Sequence, residues 1–131
     1  MRTHVAGRIA AVLLVLEGLA IIALVVWQVW ALIAGDTGSL ESALALVVLT
    51  AIGAVAVIAF AVATWRELSW GRSGGIVTQL LILAVALGAV TGAYAEATTG
   101  LALAVPAVVT LVLLVIEVRA AGRDARRAAS E

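Results

Sequence analysis

Glu17 is the one acidic residue in an apolar run from Ile9 to Ala34, and its position poses the first chemical question of the chain. A carboxyl group among aliphatic side chains has two uses. It can accept hydrogen bonds from buried neighbours and fix the register of packed helices, or it can bind and release a proton or cation during transport. Two further polar side chains stand at comparable spacing from a basic residue. Glu17 follows Arg8 by nine residues, Gln79 follows Arg72 by seven, and Thr110 precedes Arg119 by nine. With a helical rise of 1.5 Å per residue, each lies about 10–14 Å beyond an arginine. Glu17, Gln79 and Thr110 are therefore the candidate polar cluster. No second acid stands at that depth to form a relay, so the plainer chemistry is an interhelical hydrogen bond from Gln79 or Thr110 to a neutral Glu17.

Other chemistries fail on spacing. His4 is the sole histidine and has no partner at metal-ligand spacing, so no metal site is expected. A nucleophilic Ser69 or Ser73 would have to recruit that same distant imidazole. The run Gly71-Arg72-Ser73-Gly74-Gly75 lacks the GxxxxGK[ST] pattern and a preceding strand, which leaves a turn with Ser73 as a helix cap. Glu117, two residues from Arg119, reads as half of a boundary ion pair. The absence of cysteine excludes disulfides, thiolate metal sites and redox motifs. The connections between spans are too short to build an active site, so neither an enzyme nor a cofactor is expected.

These residues need elements to hold them, and composition says what kind. The chain of 131 residues is 65% hydrophobic and 12% charged, with a mean hydropathy of +1.23. A soluble domain is about half apolar and about a quarter charged, and one core of this size could not hide so much aliphatic surface. Net charge is zero, so nothing suggests nucleic acid as a partner. The expected partner is the lipid bilayer.

Four membrane helices fit the pattern, over about 9–34, 40–66, 74–97 and 99–120, followed by a polar tail over 121–131. The first run is preceded by Arg2, His4 and Arg8, like a signal peptide, but it far exceeds the apolar core of one and reads as a retained span. Trp27 and Trp30 suit an interfacial belt. Gly35 and Ser39 suit a helix stop and a cap, and Glu41 suits the first turn of the second helix. Pro106 removes one backbone hydrogen bond from the fourth helix, which is expected to bend near Ala102. In the third helix Ala84, Gly88 and Gly92 recur every four residues, and a row of that kind lets two helices meet closely. The expectation is packing within the bundle, with a homodimer seam as the alternative.

Charge then orients the spans. Arg2 and Arg8, Arg66 and Arg72, and Arg119, Arg123, Arg126 and Arg127 all fall on one side, and these are the eight basic residues of the chain. The other side holds Asp36, Glu41 and Glu96. A split this complete places both termini in the cytoplasm, giving an all-α, four-transmembrane-helix bundle in the plasma membrane. Arg66, Arg72, Arg119, Arg123, Arg126 and Arg127 are then expected at anionic lipid headgroups, each worth about 1 kcal/mol.

The stretch Trp70-Gly71-Arg72-Ser73-Gly74-Gly75-Ile76-Val77-Thr78-Gln79-Leu80 resembles a feature of uncharacterised small integral membrane proteins of high-GC Gram-positive bacteria: a W-x-R-[ST] turn, an apolar helix with an early Gln, and a Glu in the first helix. That resemblance implies the four-helix fold and no activity. A second similarity, in chain length, helix number and the single membrane Glu, is to small multidrug-resistance exporters. The chain departs from those in having no Trp or Tyr near the depth of Glu17 and in its complete charge bias. Two classes follow. One is a non-enzymatic accessory or scaffold component, alone, as a homo-oligomer or in a larger membrane complex. The other is a small oligomeric proton- or cation-coupled transporter or channel using Glu17. The orientation has a direct test. With no native cysteine, Thr37→Cys should react with an impermeant thiol reagent applied to intact cells, and Arg72→Cys should react only after the membrane is opened; equal labelling would refute the arrangement.

Overall fold

The computed structural model describes residues 2–93 and 95–131 as four helices, α1 (Arg2–Ile33), α2 (Leu40–Trp65), α3 (Ser69–Thr91) and α4 (Ala97–Ala129). Each is long and apolar enough to cross a bilayer. Successive helices run antiparallel and close into a ring in which α1 packs on α2, α2 on α3, α3 on α4 and α4 on α1. The start of α1, the α2–α3 turn and the end of α4 meet at one end of the ring, and every arginine lies toward that end.

Local chemistry sets the helix ends. Gly35 takes a positive φ of 73° and ends α1, with its N–H donating to Leu32 and the Asp36 N–H to Ala31. That double bond needs a left-handed residue, which glycine adopts without steric cost. Ser39 caps α2, its hydroxyl accepting from the Ser42 N–H. At the end of α2 the same left-handed position falls to Glu67, with φ 61°, while Glu67 and Leu68 N–H donate to Thr64 and Ala63. A non-glycine residue there costs about 1–2 kcal/mol, so something must hold it.

Four boundaries differ clearly from the expected ones, one being the end of α3, which stops at Thr91 with Gly92 as its cap and not near residue 97. α1 starts at Arg2 because nothing in the first turns stops a helix once it has a neighbour to pack on. α3 starts at Ser69, with Leu68 and not Ser73 at the cap position, because the Glu67 turn has already reversed the chain. The tail beyond residue 120 continues α4 to Ala129; its alanines and arginines are good helix formers. Helix α4 also runs unbroken through Pro106.

The bundle is apolar outside and partly polar inside. Leu14, Leu114, Gln79 and Thr110 are the largest side chains buried completely, while most of the large aliphatic residues face outward. The apolar core comprises Ala10, Leu14, Val57, Ala61 and Leu114, flanked by Ile21, Ile76 and Leu113. It lies between the arginine-rich end and the level of Glu17. Beyond Gly18 no residue of α1 is buried, nor is any residue of α2 before Ala54. There α1 and α2 form a two-helix pair with an apolar groove of about 380 Å³, lined by Ile22, Val25, Val26, Ala51, Ala54, Val55 and Ile58.

Close approach in the core depends on glycines that the expected row does not include. A Cβ on Gly71 would stand 2.5 Å from both Ala63 Cβ and the Thr64 backbone nitrogen. One on Gly75 would stand 2.9 Å from Leu114 Cδ1 and 3.2 Å from Leu14 Cδ1. Ala84 and Gly88, by contrast, are exposed, and nothing lies within 4 Å of a Cβ on Gly88. Gly92 is the exposed C-terminal cap of α3. The expectation that Ala84, Gly88 and Gly92 pack inside the bundle is therefore corrected. Gln79 faces inward, and Gly88, nine residues on at 3.6 residues per turn, comes out about 180° around the helix. The same geometry makes Gly71→Ala destabilising by about 1–3 kcal/mol, because the obstruction is backbone and cannot rotate away. Gly88→Ala should instead be neutral or stabilising by up to about 1 kcal/mol, from helix propensity alone. Reversible unfolding of both variants in mixed micelles checks the contrast.

Candidate functional site

At mid-depth α1, α3 and α4 converge on one carboxyl group. Gln79 Nε2 donates to Glu17 Oε2 at 2.7 Å, across the diagonal of the ring. Thr110 Oγ1 donates to Glu17 Oε1 at 3.4 Å. The structure thus brings Glu17, Gln79 and Thr110 together. Each is placed by its helix: Glu17 shares a stripe with Ala10 and Leu14, Gln79 follows Gly71 and Gly75 at four-residue steps, and Thr110 stands one turn from Ala107 and from Leu114. Gln79 and Thr110 are 0% exposed, whereas Glu17 is only partly buried.

The two bonds are not equal. The amide bond is short and goes to an acidic group, a class worth about 1.5–3 kcal/mol. The hydroxyl bond is at the limit of useful length. The amide oxygen of Gln79, Oε1, is buried without a donor. As arranged, the cluster offers one N–H and one O–H donor to the carboxyl oxygens.

Toward the arginine-rich end, the layer of Leu14, Gly75 and Leu114 separates this cluster from a second group of polar side chains. There His4 Nδ1 donates to Glu67 Oε1 at 2.6 Å, and Arg72 Nη1 donates to the Glu67 carbonyl at 2.7 Å. These bonds hold Glu67 in its left-handed conformation. Arg8 lies over the Trp65 ring at 5.6 Å from its centre, and Phe60 meets Trp70 edge to face at 6.0 Å. Sequence reasoning missed the His4–Glu67 pair. The signal available was a lone acid in a tight turn at the same end of the bundle as the only histidine.

The remaining predicted positions divide. Arg66, Arg119, Arg123, Arg126 and Arg127 are exposed at that end. Arg72 is half-buried and donates one N–H to the turn. The expected Glu117–Arg119 ion pair is corrected: Glu117 is 7% exposed and packs against Gly7, while Arg119 is exposed. Residues two apart on a helix point about 200° away from each other.

Comparison with known proteins finds no family model, curated protein or solved structure that matches the chain. The class is defined by the fold and the site alone. Four antiparallel apolar helices, closed around polar side chains and exposing aliphatic ones, make a multi-pass membrane protein.

The unequal bonds order the effects of substitution. Thr110→Val should cost no more than about 0.6 kcal/mol, the average for a polar contact within a membrane bundle. Gln79→Leu should cost about 1–2 kcal/mol. Glu17→Leu should cost most, since it strands the Gln79 Nε2 donor as well as the oxygen already unpaired, whereas Glu17→Gln preserves the shape and can reciprocate the bond. Unfolding free energies measured in bicelles would refute this order if Thr110→Val proved the costliest of the four.

Proposed function

We propose that this chain is a non-enzymatic accessory or scaffold component of the plasma membrane, with both termini in the cytoplasm, that acts by lateral association with a second copy or with another membrane protein. One observation carries this reading: on the side away from the arginines, the small-residue faces of α2 and α3 have no partner within the chain. A Cβ on Gly53 or on Gly88 would meet nothing within 4 Å, and α1 and α2 leave an open apolar groove at that level. Within a bilayer such faces meet lipid as readily as protein. Small residues then favour a helix, because two backbones can come close enough for extensive dispersion contact. The arginines, gathered at one end, support the orientation.

A second reading, a small proton- or cation-coupled transporter, draws support from Glu17 being only partly buried and from the unpaired Gln79 oxygen beside it. Against it, the Leu14–Gly75–Leu114 layer closes the axis toward the arginine-rich end.

Association should appear as a complex larger than one chain when the protein is isolated in mild detergent and as energy transfer between labelled copies, or between copy and partner, in liposomes. Gly53→Leu with Gly88→Leu should weaken it by about tenfold or more, as expected when a close backbone contact worth about 1.4 kcal/mol is wedged apart. A strictly monomeric protein would refute association, whereas an oligomer with a proton flux abolished by Glu17→Gln would establish the second reading.

A further inference from the structure

Glu117 is a buried acid that the association of α2 and α3 does not use. It lies in the second half of α4, 7% exposed, against the backbone of Gly7, where a Cβ would stand 2.9 Å from the Glu117 carboxyl carbon. The glycine leaves the space that the carboxyl group fills. Among the side chains described, those of residues 4–93 and 95–131, no donor reaches Glu117 Oε2. A carboxylate in this position is costly unless a cation or hydrogen-bond donor answers it.

The group lines a pocket of about 250 Å³ between the start of α1, the α2–α3 turn and α4, together with His4, Glu67, Arg72, Ala121 and Asp124. The charges there are not balanced. Glu67 is answered by His4, and the Arg72 guanidinium donates to the Glu67 carbonyl. Glu117 and Asp124, seven residues apart and so on one face of α4, have no cationic partner within salt-bridge distance among the side chains of residues 4–93 and 95–131. The pocket therefore carries three carboxylates against one guanidinium and one imidazole, and it is acidic whether or not the imidazole is charged. This stands at the end of the bundle toward which the arginines are gathered.

We propose that this pocket binds a primary ammonium group, with Glu117 as the buried acceptor and Asp124 as the outer one. An ammonium carries three N–H donors and a positive charge, which is what two unanswered carboxylates require. The alternative cation, a bare metal ion, needs several oxygen or nitrogen ligands within about 2.0–2.6 Å. Among the described residues no three His, Asp or Glu side chains converge in that way. The ammonium can belong to a free amine or to the headgroup of an aminophospholipid, since the pocket opens where the helices leave their apolar spans.

The experiment uses the full chain. Ethanolamine is titrated into the detergent-solubilised protein and read by the thermal unfolding midpoint, with choline and magnesium chloride as controls. In parallel, phosphatidylcholine nanodiscs with and without phosphatidylethanolamine are read by native mass spectrometry for retained lipid. A saturable rise with ethanolamine, or selective retention of phosphatidylethanolamine, supports the ammonium site, and which of the two occurs identifies the source. Choline, which has no N–H, should bind at least about tenfold more weakly, and Glu117→Gln should lose at least about tenfold of the affinity. Asp124→Asn, at an exposed position that leaves folding intact, should lose several-fold and carries the test if Glu117→Gln does not fold. Absence of both responses, equal binding of choline or magnesium, or wild-type affinity in Asp124→Asn and Glu117→Gln would overturn it.

Discussion

A carboxyl group at mid-depth in hydrocarbon has only its own helices to turn to, and the bundle is arranged around that fact. In water Glu17 would find solvent and the helices could slide or rotate with little penalty. In lipid the acid, the Gln79 amide and the Thr110 hydroxyl each lose several kcal/mol if left alone. Their two hydrogen bonds cross from α1 to α3 and to α4, so three of the four helices share one register. The apolar layers contribute packing but little specificity, because an aliphatic side chain is equally content against lipid. The polar contact is what tells the inside of this protein from its outside.

Everything on the arginine side of the cluster follows from letting the helices close. Gly71 and Gly75 bring α3 against α2 and against the leucines of α1 and α4, and Gly7 admits the Glu117 carboxyl to the backbone of α1. Leu14 and Leu114 then fill the axis without a gap large enough to be reached by solvent. On the other side of the cluster no comparable layer exists. The α1–α2 pair is covered on one side only, and the Ala86–Gly100 contact holds α3 and α4 to each other and not to the first pair. The protein is thus a four-helix bundle for half its depth and two hairpins for the rest, which is why its unpartnered faces gather at one end.

Much of this was legible in the residues. A rise of 1.5 Å per residue, measured from an arginine at each boundary, puts Glu17, Gln79 and Thr110 at one depth without any knowledge of packing. Depth is a one-dimensional quantity that a sequence carries well. Rotation about the helix axis is harder to read when alanine and glycine stand on every face, and so the Ala84–Gly88–Gly92 row drew attention that belonged to Gly71 and Gly75. The correction was nonetheless available: once Gln79 is turned inward, the 100° step per residue sends Gly88 outward. Glu67 and His4 were hidden for a different reason. Their pairing depends on a left-handed turn at a residue other than glycine, and nothing in the local sequence announces that conformation. Ring order was hidden too, since short loops are compatible with either direction around the bundle.

The two buried acids show how differently one bundle can treat the same functional group. Glu17 stands on the side of the leucine layer that lacks arginines and receives donors from both neighbours. Glu117 stands on the arginine-rich side, is more deeply enclosed, and has one oxygen that no described donor reaches. If burial alone decided how many hydrogen bonds a carboxyl group collects, the order would be reversed, because an enclosed group has more neighbours to draw on. Nor is the difference one of charge supply, since all eight basic residues lie toward the end that Glu117 occupies. Arg119, two positions along the same helix, is turned away by the helical repeat, and Arg72 is held by the strained turn at Glu67. Among the side chains described, no arginine pairs with this acid although arginines crowd the same end of the bundle. That leaves one buried Glu117 oxygen free, among the side chains described, for the ammonium donor proposed above.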